Sequence, residues 1–279
     1  MPTEAAIGTT RAPLVVRIGL VLAAGVGIWA LMSWLTANLY GGQSSIPVRL
    51  ANAALISGLA IPMVFLARRY LDRRAWSGLG LGVSARAWRP FLIGVVAFLV
   101  PSALGLGVAL GTGWLSLQAH VPVAHILGWA VLLVVLVFFF EALPEELIFR
   151  GYLQRNLTTV MAPWLAAIAQ AVLFTVFGTA LWVASEGWGV LAERGIMFLA
   201  MAMAVVLGLL RIQTGSVWTP VGFHLAFQVV AQTVLSQRVG TANEPGLMIA
   251  AIISAFVLGT TVVSLLHRTE ANWSRPEPE

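Results

Sequence analysis

The chain has 279 residues, of which 59% are hydrophobic and only 10% charged, with a net charge of +5 and a mean hydropathy of +0.91. That composition excludes an ordinary soluble domain and places the chain among polytopic membrane proteins. All sixteen cations are arginines, spaced between apolar runs and not interleaved with aromatics, which argues against a nucleic-acid partner. Cysteine is absent, so disulfides, thiolate metal sites and a cysteine nucleophile are excluded as well.

A membrane-crossing helix needs about 20 mostly apolar residues. The first such stretch, 18–40, follows Arg11 and Arg17. It exceeds the apolar core of about 7–15 residues found in a cleavable signal, so it reads as a span that is kept. Spans at 50–67 and 90–112 flank a segment rich in arginine. Gly111-Thr112-Gly113 and the polar run to His125 mark a turn before a fourth span at 124–143. Four more follow, at 158–183, 195–211, 216–236 and 245–267, the seventh interrupted by Pro220 and Gly222. The expectation is an all-α polytopic bundle of about eight transmembrane helices, one membrane-embedded domain with a disordered tail at 268–279.

Arginine placement orients the bundle. With the N-terminus inside, thirteen arginines fall on the inner side, whereas Arg49, Arg194 and Arg238 fall outside. Cytoplasmic loops carry the excess of such charge. Both termini are therefore expected in the cytoplasm, with the protein in the plasma membrane of a prokaryote.

Three of the chain's eleven acidic residues, Glu141, Glu145 and Glu146, lie within six positions at the end of the fourth span. Carboxylates this close to the membrane core cost several kcal/mol unless paired or hydrated, so they mark a functional site. Pro144 cannot donate a helical hydrogen bond and is expected to break or kink the helix. Glu146 and Arg150 are four apart in the favoured acid-first order and are expected to pair. Glu145 points about 100° away from Glu146. Glu141, one turn earlier, is close enough to favour proton uptake by one of the two like charges. Glu145 is thus the candidate base, with Glu146, Arg150 and Glu141 supporting it. His224 and Gln228 share one face of the seventh span, where both can address a single water or oxyanion.

Glu145-Glu146-x-x-x-Arg150-Gly-Tyr followed by Gly215-Ser-x-x-x-Pro220-x-x-x-His224 resembles the CPBP family, the CAAX-processing and bacteriocin-processing intramembrane proteases also called Abi proteins. The resemblance covers about residues 125–235. It implies a helical bundle with its site inside the membrane near the cytoplasmic face. There Glu145 would activate the hydrolytic water and His224 would hold the water or the oxyanion. Two departures stand out. The family's Phe-x-x-x-His motif aligns with Phe174-Thr-Val-Phe-Gly178, and its His-x-x-x-Asn/Asp with His224-x-x-x-Gln228. A catalytic zinc commonly has about three protein ligands, a set this sequence does not supply once Gly178 replaces the histidine. No metal or other cofactor is expected.

Three readings follow. The first is an endopeptidase acting on membrane-associated peptides or proteins through a water activated by Glu145. The second is a catalytically inactive relative that binds or shields a membrane peptide, as an immunity or scaffold protein. The third is a small cation transporter.

Overall fold

The computed structural model describes residues 11–82, 87–192, 194–236 and 238–278. Eight long helices account for most of it: α1 Leu14–Leu39, α2 Ile46–Leu71, α3 Trp88–Gly111, α4 Val123–Leu157, α5 Pro163–Glu186, α6 Arg194–Thr214, α7 Trp218–Val234 and α8 Glu244–Leu266. Two short strands, β1 Gln118–Ala119 and β2 Val239–Gly240, pair antiparallel across the loops that precede α4 and α8. Seven of the helices are long and apolar enough to cross a membrane. The eighth, α7, has 17 residues, about 26 Å of helix, less than the roughly 30 Å hydrocarbon core. It need not match the lipid, because Thr219–Phe227 is buried among its neighbours.

Small residues let those neighbours come close. A Cβ on Gly222 would sit 2.1 Å from the Phe91 carbonyl oxygen, and one on Gly94 would sit 2.0 Å from that of Thr219. Backbones of α3 and α7 therefore touch, as small residues allow in membrane bundles. Phe98, Phe223, Phe227 and Phe256 tie α3, α7 and α8 together with ring centroids 5.3–6.1 Å apart.

The fourth element differs from its sequence expectation. The expected span ends at residue 143, whereas α4 continues through Pro144 to Leu157, 35 residues in all. The carboxylates consequently lie within a long helix and not at a span end. Pro144 is accommodated by wide, π-type turns at Phe138–Ala142 and Leu147–Leu153 on either side of it. Within the first, the Leu143 amide bonds the Phe138 carbonyl five residues back. The next amide in that register is missing because residue 144 is proline. The Ser57 hydroxyl on α2 donates to the Phe139 carbonyl instead, filling the vacated bond.

A buried polar cluster anchors the arginine-rich end. Asp72, fully buried, accepts from Arg17 at 2.8 Å, Arg68 at 3.1 Å, Tyr152 at 2.9 Å and Asn156 at 3.0 Å, joining α1, α2 and α4. Arg150, expected in an inner loop, is instead buried inside the bundle, and Arg86 lies outside the described residues. The segment 268–278 forms no helix but is held by contacts to this same end. Arg155 donates to the Glu277 carbonyl at 3.0 Å, and the Glu277 amide donates to Thr158 at 2.8 Å.

Candidate active site

Glu146 is the hub of the site. Its Oε1 accepts from Arg150 Nη1 at 2.8 Å and lies 2.9 Å from Nδ1 of His224. All three side chains are shut off from solvent. Arg150 is pinned further: Nη2 donates to the Ala204 carbonyl on α6 at 3.1 Å, and the guanidinium lies 5.0 Å from the Phe174 ring of α5. Gln170 donates to the same Ala204 carbonyl at 2.9 Å, so α4, α5 and α6 meet at one backbone oxygen. Gln154 Nε2 ties α4 to α6 again through the Gly208 carbonyl at 3.0 Å. These bonds offset part of the cost of burying the pair, although Glu146 Oε2 and Arg150 Nε bond to nothing among the described residues.

The contact between Glu146 and His224 has a chemical consequence. An ionised carboxylate facing Arg150 can only accept, so Nδ1 of His224 carries the hydrogen. That fixes the ring and, in the neutral imidazole, leaves Nε2 with a lone pair. Nε2 is buried and bonds to nothing among the described residues.

His224 also borders a cavity of about 440 Å³, together with Glu141, Glu145, Gln228 and Gly178. Trp29, Phe174 and Phe177 supply much of its apolar wall. The Glu145 side chain is partly exposed to this space, whereas Glu146 is sealed behind it. Two adjacent glutamates thus face different ways, one toward the cavity and one toward Arg150 and His224. A Cβ at Gly178 would meet nothing within 4 Å, so the position opens onto free space. The Gln170 amide is committed to backbone carbonyls and does not line the cavity.

The cavity floor and its rim lie at different depths. His224 is six residues into α7, about 9 Å from the arginine-rich end. The exposed lining residues Ser33, Trp182 and Ser185 sit toward the opposite ends of α1 and α5. His224 is therefore near the arginine-rich face, but the space above it widens away from that face.

This core has known counterparts. Residues 127–230 match the family described as Rce1-like, type II CAAX prenyl endopeptidase. The matched segment covers most of α4, all of α5 and α6, and α7 through Val230, and so contains every residue just described except Trp29 and Ser33 on α1. The match spans 104 of the 279 residues, and over that stretch the chain is similar to this family. No curated protein matches this chain.

Sequence reasoning named Glu141, Glu145, His224 and Gln228 but neither the hydroxyl residues Ser33, Thr175, Thr179 and Ser185 of the cavity wall nor the bond from Glu146 to His224. The two are 78 residues apart, and nothing in their spacing signals it. As for metal, among the described residues no three His, Asp or Glu side chains are grouped to hold an ion. The Glu146 bond leaves Nε2 of His224 open, but Gly178 stands where a second imidazole would be, so the cavity offers one imidazole beside Glu141 and Glu145. The chemistry below uses none.

Proposed function

We propose that this chain is an intramembrane endopeptidase in which Glu145 activates water for attack on a peptide bond. Glu145 takes a proton from the water as its oxygen bonds to the carbonyl carbon. Nε2 of His224 accepts the water's second hydrogen and aligns it, while the Gln228 amide donates to the oxyanion as the C=O electrons move onto oxygen. Collapse of this intermediate breaks the C–N bond, and Glu145 returns its proton to the leaving nitrogen. Glu146 and Arg150 hold the imidazole in the tautomer this requires, the part a buried carboxylate plays beside a catalytic histidine.

One observation carries the reading: Glu145, His224 and Gln228 border one cavity, and a buried pair behind it fixes the histidine. Both termini belong in the cytoplasm of a prokaryotic cell, since the arginine-rich end attracts that side. Peptides then enter from the wide side of the cavity, opposite the charged face. A second reading has one observation in its favour. Gly178 leaves an opening where the family has a histidine, which suits a relative that binds peptides without cutting them. The test is a defined peptide pool incubated with protein purified in nanodiscs and read by mass spectrometry. Cleavage that falls by about 10²–10⁴ in Glu145→Gln supports the hydrolase. Peptide binding with no cleavage by the native protein selects the second reading.

A further inference from the structure

At the end of the bundle opposite the arginine cluster, two cations share one aromatic ring. The guanidinium carbon of Arg238 lies 4.3 Å from the centre of the Trp129 ring, and that of Arg49 lies 5.5 Å from it. Neither forms an ion pair among the described residues; Arg49 Nε donates to the Ser44 carbonyl at 3.0 Å. Trp129 Nε1 is buried and likewise bonds to nothing among the described residues. Stacking uses the flat face of a guanidinium and leaves its N–H edge free to bind a carboxylate through two parallel bonds. Two like charges held so near one another repel unless an anion joins them.

These residues line a hollow of about 450 Å³, with Gln232 and Ser236 on its wall. Arg49 and Gln232 also line a second compartment of about 180 Å³, whose far wall is Phe140 and Glu141. Those last two residues border the catalytic cavity in turn. The three hollows thus adjoin through shared walls, in order from the arginine pair to Glu145. A lipid headgroup would use only the first of these hollows, whereas an extended peptide is long enough to lie along the row of them.

We propose that Arg49, Arg238 and Trp129 form a subsite for a carboxylate of the peptide substrate, set at a fixed distance from the bond that Glu145 attacks. The proposal rests on the peptidase reading for its second half only. Trp129 and Glu145 are sixteen residues apart on α4, about 24 Å along the axis. That is the length of about seven extended residues. The carboxylate is either a free C-terminus or an acidic side chain, since both present the same two oxygens.

Binding is measured first, so that it does not depend on hydrolysis. Glu145→Gln protein in zwitterionic nanodiscs is titrated with fluorescent twelve-residue peptides of one sequence. They end in a carboxylate or an amide, or carry an internal Glu in the amide form. The peptides bearing a carboxylate are expected to bind at least tenfold more tightly than the neutral one. The Arg49→Gln/Arg238→Gln pair should bring that ratio to about one. Whichever acidic peptide shows the preference identifies the source of the carboxylate. A ratio near one before the arginines are changed overturns the proposal and leaves them as interfacial anchors. A preference abolished when phosphatidylglycerol replaces half the lipid overturns it in favour of a headgroup site. With the native Glu145, cleavage should fall about seven residues from the preferred acid, and cleavage at scattered positions contradicts the fixed distance. Tight acidic binding with no cleavage anywhere sinks the hydrolase reading but keeps the subsite.

Discussion

Gly178→His restores the ring that the family motif carries. The backbone there is helical, and a Cβ meets nothing within 4 Å, so the side chain enters the 440 Å³ cavity without displacing a neighbour. Glycine in a helix interior is about 1 kcal/mol worse than alanine, so the substitution should leave the thermal midpoint unchanged or raise it. An imidazole on the wall that faces Glu145 can accept from the attacking water and orient it. Positioned proton acceptors are worth about 10²–10⁴ in rate. A ring on an unrefined scaffold should fall short of that range, giving about 10–100-fold in kcat/KM, or roughly 1.4–2.7 kcal/mol of barrier. The assay compares Gly178→His with Gly178→Ala, each with Glu145 and with Glu145→Gln. The gain should occur only for histidine and only with Glu145 present. An equal gain in Gly178→Ala would mean that helix stiffening is responsible, and a gain surviving in Glu145→Gln would refute the assignment of Glu145.

Other outcomes follow from the packing. Gly222→Leu forces a side chain against the Phe91 carbonyl and should lower the thermal midpoint sharply, whereas Gly178→Leu should leave it nearly unchanged. Arg150→Met strands the buried Glu146 charge and should cost about 3–5 kcal/mol in reversible unfolding. The double change Arg150→Met/Glu146→Met should recover part of that loss of stability while still abolishing cleavage. Since the chain has no native cysteine, single cysteines report topology directly. Those placed beside Arg73 and Arg268 should be shielded from an impermeant thiol reagent in intact cells, and one beside His120 should react. Labelling beside Arg73 would reverse the orientation.

The helical class, the order of the spans and the acid-first pair of Glu146 with Arg150 are local properties, written in hydropathy and in a four-residue spacing, and the sequence showed them. The continuity of α4 was hidden because proline usually ends a helix. What sustains it is Ser57, a residue 82 positions from Phe139 with no mark of its importance. The Asp72 cluster was missed for a similar reason. Its partners come from three helices, and a lone aspartate after a run of arginines reads as a loop charge. The site shows the same division. Glu145, His224 and Gln228 are costly in an apolar environment and therefore visible. The bond that orients His224 depends on how α7 docks against α4, which no pattern within one span reveals.

The central claim is that water, activated by Glu145, is the attacking group. A single turnover in H₂¹⁸O, with protein in excess over a cleavable peptide, tests it most directly. If water attacks the peptide carbonyl, the new carboxylate carries ¹⁸O from the first turnover, and Glu145→Gln yields no product on the same timescale. Product that carries only ¹⁶O in the first turnover would mean that an enzyme carboxylate attacks first and donates its own oxygen, which would contradict the account.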